Sequence, residues 1–159
     1  MKPRLRKLTL TAHIASSVGW FGAVLTFLAV AIVGVTTPDD HVVRAANLIA
    51  EPVVWFVVLP FAVASLLTGL VSSLGSAWGL FRHYWVIFKL VLNVFATAVL
   101  LICTRTVDRF AAVAADPTAD LEPLRSPTFV VHAAGALVVL VVALVLAIYK
   151  PRGTTGLRI

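Results

Sequence analysis

The sequence predicts an all-α, polytopic integral membrane protein, a bundle of four transmembrane helices with both termini on the cytoplasmic side. Three observations predict this fold class: the composition, the length of four apolar stretches and the distribution of charge. Of 159 residues, 60% are hydrophobic and 13% are charged, and the mean hydropathy is +1.02. Soluble chains carry about a quarter charged residues. We therefore expect residues 1–159 to form one domain in a lipid bilayer.

Four apolar stretches, at about 9–35, 53–75, 84–104 and 128–149, are each long enough to cross roughly 30 Å of hydrocarbon. The first follows a basic segment, as the apolar run of a signal peptide does. Its apolar run is too long for a signal peptide, and no small-x-small cleavage site closes it. We expect it to remain attached as a signal anchor.

The segments between the spans carry helix and turn signals. Apolar residues recur at helical spacing over 39–50, with an aspartate placed as the cap, which predicts a short interfacial helix. Glu51-Pro52 then opens the second span, and Pro60 should kink it. The outer loop, 105–127, can begin as a continuation of the third helix before several X-Pro pairs interrupt it.

The positive-inside rule fixes the expected orientation. Nine of the thirteen basic residues fall at one end of the predicted bundle: Lys2, Arg4, Arg6, Lys7, Arg82, Lys89, Lys150, Arg152 and Arg158. The other four and all seven acidic residues fall at the opposite end. We therefore expect both termini in the cytoplasm and a multi-pass location in the plasma membrane.

The net charge of +6 does not indicate a nucleic-acid partner, because the basic residues are dispersed between apolar segments. Contact with lipid headgroups explains them more simply. Sulfur chemistry is equally sparse, since Cys103 is the single cysteine and Met1 the single methionine. The soft ligands of a copper pathway are therefore missing.

Polar residues inside the spans are the best functional signal, because hydrocarbon penalises them unless they face the bundle interior. On the first helix His13, Ser16, Ser17 and Trp20 share one face. On the third helix Lys89 lies at a similar depth, and on the second helix Ser72 belongs to a set of small polar residues in the same half. We expect a polar pocket in the cytoplasmic half. Two alternatives stay open: Lys89 snorkels to the headgroups, and His13 hydrogen-bonds a neighbouring helix.

Other histidines carry weaker signals. His83 lies at the inner interface and is a secondary candidate for the same pocket, although solvation is the commoner outcome there. His132, near the outer end of the fourth span, and His41, in the outer loop, have no metal-ligand spacing. Small-residue repeats on the helices permit close helix contacts and leave a homo-oligomer open.

Two motifs carry a family resemblance: His13-x6-Trp20-x-Gly22 and Trp85-x3-Lys89-Leu90-x-Leu92. With them the chain resembles a broad group of small bacterial integral membrane proteins that includes the copper-resistance D (CopD-like) domain and the haem-binding, HemJ-like protoporphyrinogen oxidases. In the haem-binding branch the resemblance implies His13 as an axial ligand and Lys89 in the functional core. The Leu-Pro-Arg that follows the first motif in the oxidase is absent here.

Together these observations favour a membrane protein that binds a planar hydrophobic cofactor, b-type haem above all, in a redox-accessory role. His13 is the expected metal ligand. Lys89 or His83 would supply a second ligand or pair with a propionate, and Trp20 and Ser72 complete the candidate cofactor-binding residues. Two other hypotheses remain: an assembly subunit that binds another membrane protein without a cofactor, and a small transporter or channel. No base, nucleophile and substrate pocket can be assembled for an enzyme.

Overall fold

The computed structural model describes residues 2–76 and 79–156, which are almost entirely helical. Five α-helices follow one another along the chain, with a π-helical segment and a 3-10 helix between them. They are α1 (Pro3–Thr36), α2 (Asp40–Val53), the π-helical segment (Val54–Val58), α3 (Leu59–Leu74), α4 (Tyr84–Ala115), the 3-10 helix (Glu122–Arg125) and α5 (Thr128–Tyr149). In this part of the chain there is no β-strand, only an isolated bridge between His83 and Thr154.

Four helices are long and apolar enough to cross a membrane, as predicted: Pro3–Thr36, Asp40–Leu74, Tyr84–Ala115 and Glu122–Tyr149. The predicted fourth span, 128–149, coincides with α5. The helix of the third span, α4, continues to Ala115, beyond its apolar run, as its sequence allowed. The first helix starts at Pro3, because proline suits the first helical position and the basic residues after it are good helix formers.

The predicted interfacial helix and the second span, which Glu51-Pro52 was expected to open, form one continuous helical rod. Pro52 lies inside α2, and the rod continues through the π-helical segment into α3. Pro60 does distort the rod, because it has no N–H to donate to the carbonyl of Phe56. The π-helical segment lies just before it, where the Leu59 amide donates to the Val54 carbonyl.

The helices form a four-membered ring in which α1 and α4 each pack on α3 and on α5. α1 and α4 therefore face each other across the diagonal. The core between them is apolar, and its largest side chain, Trp20, is 2% exposed. Phe129 of α5 joins two neighbours by tilted ring contacts, with centroids 5.5 Å from Phe27 and 4.9 Å from Phe110.

One end of the bundle gathers the start of α1, the end of α3, the start of α4 and the end of α5. The chain after α5 returns to this end, where the Thr155 amide donates to the Arg82 carbonyl at 3.0 Å and the Thr155 hydroxyl to the Phe81 carbonyl at 2.6 Å. Of the nine basic residues predicted here, eight are described, and Arg158 lies outside the described residues.

The opposite end is closed by α2 and the loop after α4. Arg44 donates to backbone carbonyls at the end of α4 and in this loop, including those of Ala114 at 3.1 Å and Ala119 at 3.2 Å. Arg125 pairs with Asp40 at 2.9 Å and donates to the Thr37 carbonyl. A small second apolar cluster lies beneath these contacts: Val43, Ala114, Leu121 and Leu124.

Candidate functional site

The first helix, α1, places His13 at the centre of the polar residues in the half of the bundle where α1 begins and α5 ends. Its Nδ1 lies 3.1 Å from the Ser65 carbonyl oxygen of α3 and 3.3 Å from the Thr68 hydroxyl. A carbonyl oxygen only accepts, so Nδ1 carries the proton and donates. In the neutral ring, Nε2 is then left as the acceptor.

Lys89 reaches His13 from the opposite side of the ring of helices, with its Nζ 3.4 Å from Nε2. The ammonium group donates and the unprotonated Nε2 accepts. This contact requires a neutral imidazole, because a protonated ring would place two cations side by side. The structure therefore brings together the two residues that the sequence placed at similar depth, and His13 also bonds its neighbouring helix.

A glycine makes room for the His13 ring. A Cβ on Gly69 of α3 would lie 2.9 Å from Cε1 of His13 and 3.3 Å from Nδ1. Any side chain at position 69 would therefore push the imidazole away from Ser65. The small-residue repeat that contains Gly69 serves contact within the bundle at this point.

Hydroxyl groups tie α1 to α3 around the histidine. The hydroxyls of Ser17 and Ser65 form a hydrogen bond of 2.8 Å, and those of Ser16 and Thr68 form one of 3.2 Å. Thr68 also donates to the Ala64 carbonyl at 2.6 Å, so its oxygen is free to accept from its other neighbours. The predicted polar face of α1 is thus held against the polar face of α3.

Ser72 lies one helical turn beyond Thr68, towards the end of α3. Its hydroxyl oxygen is buried and has no hydrogen-bond partner among the described residues. A buried hydroxyl without a partner is costly, and serines in helices usually bond to their own backbone. Ser72 therefore presents an unsatisfied donor next to the His13 cluster.

Two other predicted site residues are not part of the hydrogen-bonded cluster. Trp20 belongs to the apolar core, two helical turns deeper on the same face of α1 as His13. His83 is the N-cap of α4, where its carbonyl accepts the amides of Val86 and Ile87. The hydrogen bonds of the His13 ring reach α3 and Lys89, and the structure does not bring His83 into them.

The buried polar residues of α4 bond to their own helix. The Asn93 amide donates to the Lys89 carbonyl at 2.8 Å, and the Thr97 hydroxyl donates to the Asn93 carbonyl at 2.8 Å. The Thr104 hydroxyl donates to the Leu101 carbonyl at 2.8 Å. These groups are satisfied locally, so they do not extend the polar cluster along the helix.

The donor set around His13 suits a cofactor that brings its own metal more than a bare metal ion. Among residues 2–76 and 79–156, no group of three or more His, Cys, Asp or Glu side chains could hold a metal. A haem needs only one or two protein ligands, and imidazole and amine nitrogens can both serve. In the packed bundle, however, Nε2 of His13 contacts Lys89 directly. His13 can ligate iron only when Lys89 withdraws and the helices separate enough to admit the macrocycle.

The opposite end of the bundle holds features that sequence reasoning missed. Arg44 and Arg125 donate mainly to backbone carbonyls, and such contacts cannot be predicted from a pattern of residue types. An open polar cavity of about 480 Å³ lies beside them, lined by Asp40, His41, Arg44, Ala119, Asp120, Leu121, Glu122 and Arg125. His41 is thus a cavity residue, whereas His132 is exposed on α5 and donates to the Thr128 carbonyl.

No protein-family model, curated protein or solved structure matches this chain. The likeness of its His13 and Lys89 motifs to CopD-like and HemJ-like proteins therefore stays a prediction. Functional assignment rests on the geometry of the His13 cluster and on the distribution of charge.

Proposed function

We propose that the chain is a multi-pass protein of the plasma membrane with both termini in the cytoplasm. Large apolar side chains face outward along the long helices; Phe56 is 79% exposed and Ile102 is 70% exposed. Such a surface would aggregate in water but suits lipid. Eight of the twelve described basic residues lie at the end where α1 begins and α5 ends, which supports the cytoplasmic orientation of the termini.

We further propose that the His13 cluster binds a planar hydrophobic cofactor, with b-type haem as the best candidate. One observation carries this proposal: Nδ1 of His13 donates to a backbone carbonyl, so Nε2 is presented towards the bundle centre. Histidines that bind metals commonly donate their other ring nitrogen to a carbonyl or carboxylate, which fixes the ring and its tautomer. Ser65 would have this role here.

In this proposal Lys89 moves away from His13 when the cofactor binds. In the closed bundle its Nζ contacts Nε2 of His13. On cofactor binding, Lys89 would move aside to become a second nitrogen ligand or to pair with a propionate. Four-helix bundles often build cofactor sites from side chains on facing helices, as α1 and α4 are placed here. A bound haem would supply one-electron redox chemistry, which gives the chain a redox-accessory role.

A second candidate is an assembly subunit that binds another membrane protein and holds no cofactor. The closed contact between His13 and Lys89 favours it, because Nε2 of His13 has a partner within the bundle without any ligand. Gly22 and Gly135 also have open space where a Cβ would lie, which would allow a second helix to approach them closely. The transporter hypothesis has less support, because Asn93 and Thr97 bond to their own helix.

The test is an absorption spectrum of the detergent-purified protein, oxidised and then reduced with dithionite, after expression with a haem precursor. We expect a Soret band and sharp reduced bands at near-stoichiometric haem. His13→Ala should abolish them, while His132→Ala, which removes an exposed histidine of α5, should not. A folded, colourless wild-type protein would refute haem binding and favour the assembly subunit. Equal spectra from both variants would refute the role of His13.

A further inference from the structure

We propose that Lys89 and Ser72 form a binding site for an oxyanion, namely the phosphate of an anionic phospholipid from the cytoplasmic leaflet. The inference rests on the proposed membrane orientation and on the His13 cluster taking a ligand, but it does not require that ligand to be haem. Its basis is a half-buried cation that has no ion-pair partner among the described residues and a buried hydroxyl that has no hydrogen-bond partner among them.

Lys89 has no ion-pair partner among the described residues. The described residues contain one ion pair, between Arg125 and Asp40, at the far end of the bundle. All seven carboxylate side chains belong to that far end. The nearest in sequence on α4, Asp108, lies nineteen residues, or about 28 Å, along the helix from Lys89. A half-buried ammonium group is expensive without a counterion. No carboxylate of the described residues pairs with Lys89, so an anion from another molecule would stabilise it.

Lys89 and Ser72 both offer hydrogen-bond donors. An ammonium group has three donors, and in the described part of the chain Lys89 uses one of them, towards Nε2 of His13. The Ser72 hydroxyl is buried and unsatisfied. Ser72 lies on the same face of α3 as Thr68 and Gly69, which both touch His13. Unused donors around a positive charge are complementary to phosphate oxygens.

Lys89 and Ser72 both lie near helix ends at the same end of the bundle. Lys89 lies five residues, or about 8 Å, inside the start of α4, and Ser72 lies two residues before the end of α3. A headgroup phosphate at the inner surface can reach this depth between helix ends.

The orientation of Lys89 distinguishes this site from ordinary snorkelling. A snorkelling lysine extends along its helix into the headgroups and leaves the bundle. Here the Lys89 side chain crosses the bundle diagonal to His13 instead. His13 thereby holds the ammonium group at a fixed place between helices, where a single headgroup can be bound specifically.

The experiment uses the full-length protein, delipidated in a neutral detergent and titrated with phosphatidylglycerol or phosphatidylcholine. Bound lipid is counted by native mass spectrometry, and apparent affinity is taken from the rise in the thermal unfolding midpoint. We expect one tightly held phosphatidylglycerol and little retention of phosphatidylcholine. Inorganic phosphate is titrated separately: if it reproduces the whole rise in the midpoint, the site takes free phosphate, and the lipid source is overturned.

Three variants locate the site. Removing a charged partner typically costs at least about tenfold in affinity, so we expect that loss for Lys89→Met and a loss of roughly threefold for Ser72→Ala. Lys7→Met, which removes an exposed cation at the same end, should change affinity by less than about twofold. Equal binding by Lys89→Met and Lys7→Met would overturn the proposal.

Two further controls keep the result interpretable. Lys89→Arg keeps the charge and should retain the preference for phosphatidylglycerol, so it replaces Lys89→Met if that variant does not fold. The proposal would also be overturned if Lys89→Arg lost the preference for phosphatidylglycerol while Ser72→Ala kept it. A colourless wild-type protein, in contrast, refutes only haem binding and leaves the lipid titration unaffected.

Discussion

Replacing Gly69 by alanine tests whether close packing holds the His13 ring in place. A Cβ at position 69 would lie 2.9 Å from Cε1 of His13. Nonbonded carbon atoms rest roughly 3.5–4.0 Å apart, so the imidazole has to retreat by about 0.6 Å or more. Nδ1 is already 3.1 Å from the Ser65 carbonyl oxygen, and the retreat would stretch this hydrogen bond to about 3.7 Å, beyond its useful range.

The expected cost follows from three contributions. Overpacking costs about 1–3 kcal/mol, and loss of the bond to Ser65 adds about 1 kcal/mol. The higher helix propensity of alanine returns up to about 1 kcal/mol. We therefore expect Gly69→Ala to lower the free energy of unfolding by about 1–3 kcal/mol. The assay is a reversible titration from mixed micelles into sodium dodecyl sulfate, followed by far-UV circular dichroism.

Two other glycines supply matched controls. Gly22 and Gly135 are also inside long helices, but nothing lies within 4 Å of a Cβ built on either. Their alanine variants should be neutral or more stable by up to about 1 kcal/mol. In a His13→Ala background the cost of Gly69→Ala should largely vanish, because the clashing ring is gone. A Gly69→Ala variant as stable as Gly22→Ala, or a cost that persists without His13, would refute this packing.

Two predictions concern the opposite end of the bundle. Arg44→Met leaves several backbone carbonyls without their donor, and we expect it to lower the free energy of unfolding by about 2 kcal/mol in the same titration. Arg109→Met, at an exposed arginine on α4, should change the free energy of unfolding by less than about 0.5 kcal/mol. Equal effects of the two variants would contradict the role of Arg44. The hydroxyl and amide of Thr118 donate to the Asp116 carboxylate and hold its pKa below the usual value. A carboxyl group whose pKa is lower in the folded state stabilises that state at pH values above its unfolded pKa of about 3.9, and this contribution is lost as the pH falls through the folded pKa. The thermal stability of the wild type should therefore fall more steeply below about pH 4 than that of Asp116→Asn. Parallel curves would contradict this.

The long apolar helices could be predicted because hydrocarbon imposes a length and a composition that the sequence shows directly. The continuity of the second helix could not. Pro52 removes one backbone donor at a cost of about 3 kcal/mol, which in isolation favours a break. Packing of α2 against both α1 and α4 keeps the helix together. Its buried positions, such as Val43 and Ala50, follow one side of the rod.

The candidate site could be predicted as a depth and a set of faces, but not as a set of contacts. Helical spacing places His13 with Ser16 and Ser17, and counting from the boundary places Lys89 level with them. The sequence does not state which helices are neighbours and which are diagonal. That arrangement decides that His13 bonds α3 through Nδ1 and meets Lys89 through Nε2.

The direction of each hydrogen bond separates polar residues that shape a helix from those that build a site. Thr97 and Thr104 donate to carbonyls of their own helix, so replacing them would change little beyond α4. The bonds of His13 cross to two other helices, and those of Ser17 cross to one. Spacing along a sequence cannot distinguish these two classes, because both produce a polar stripe. Only the crossing bonds bring a cation and a metal-ligating nitrogen together, which is why function is assigned there.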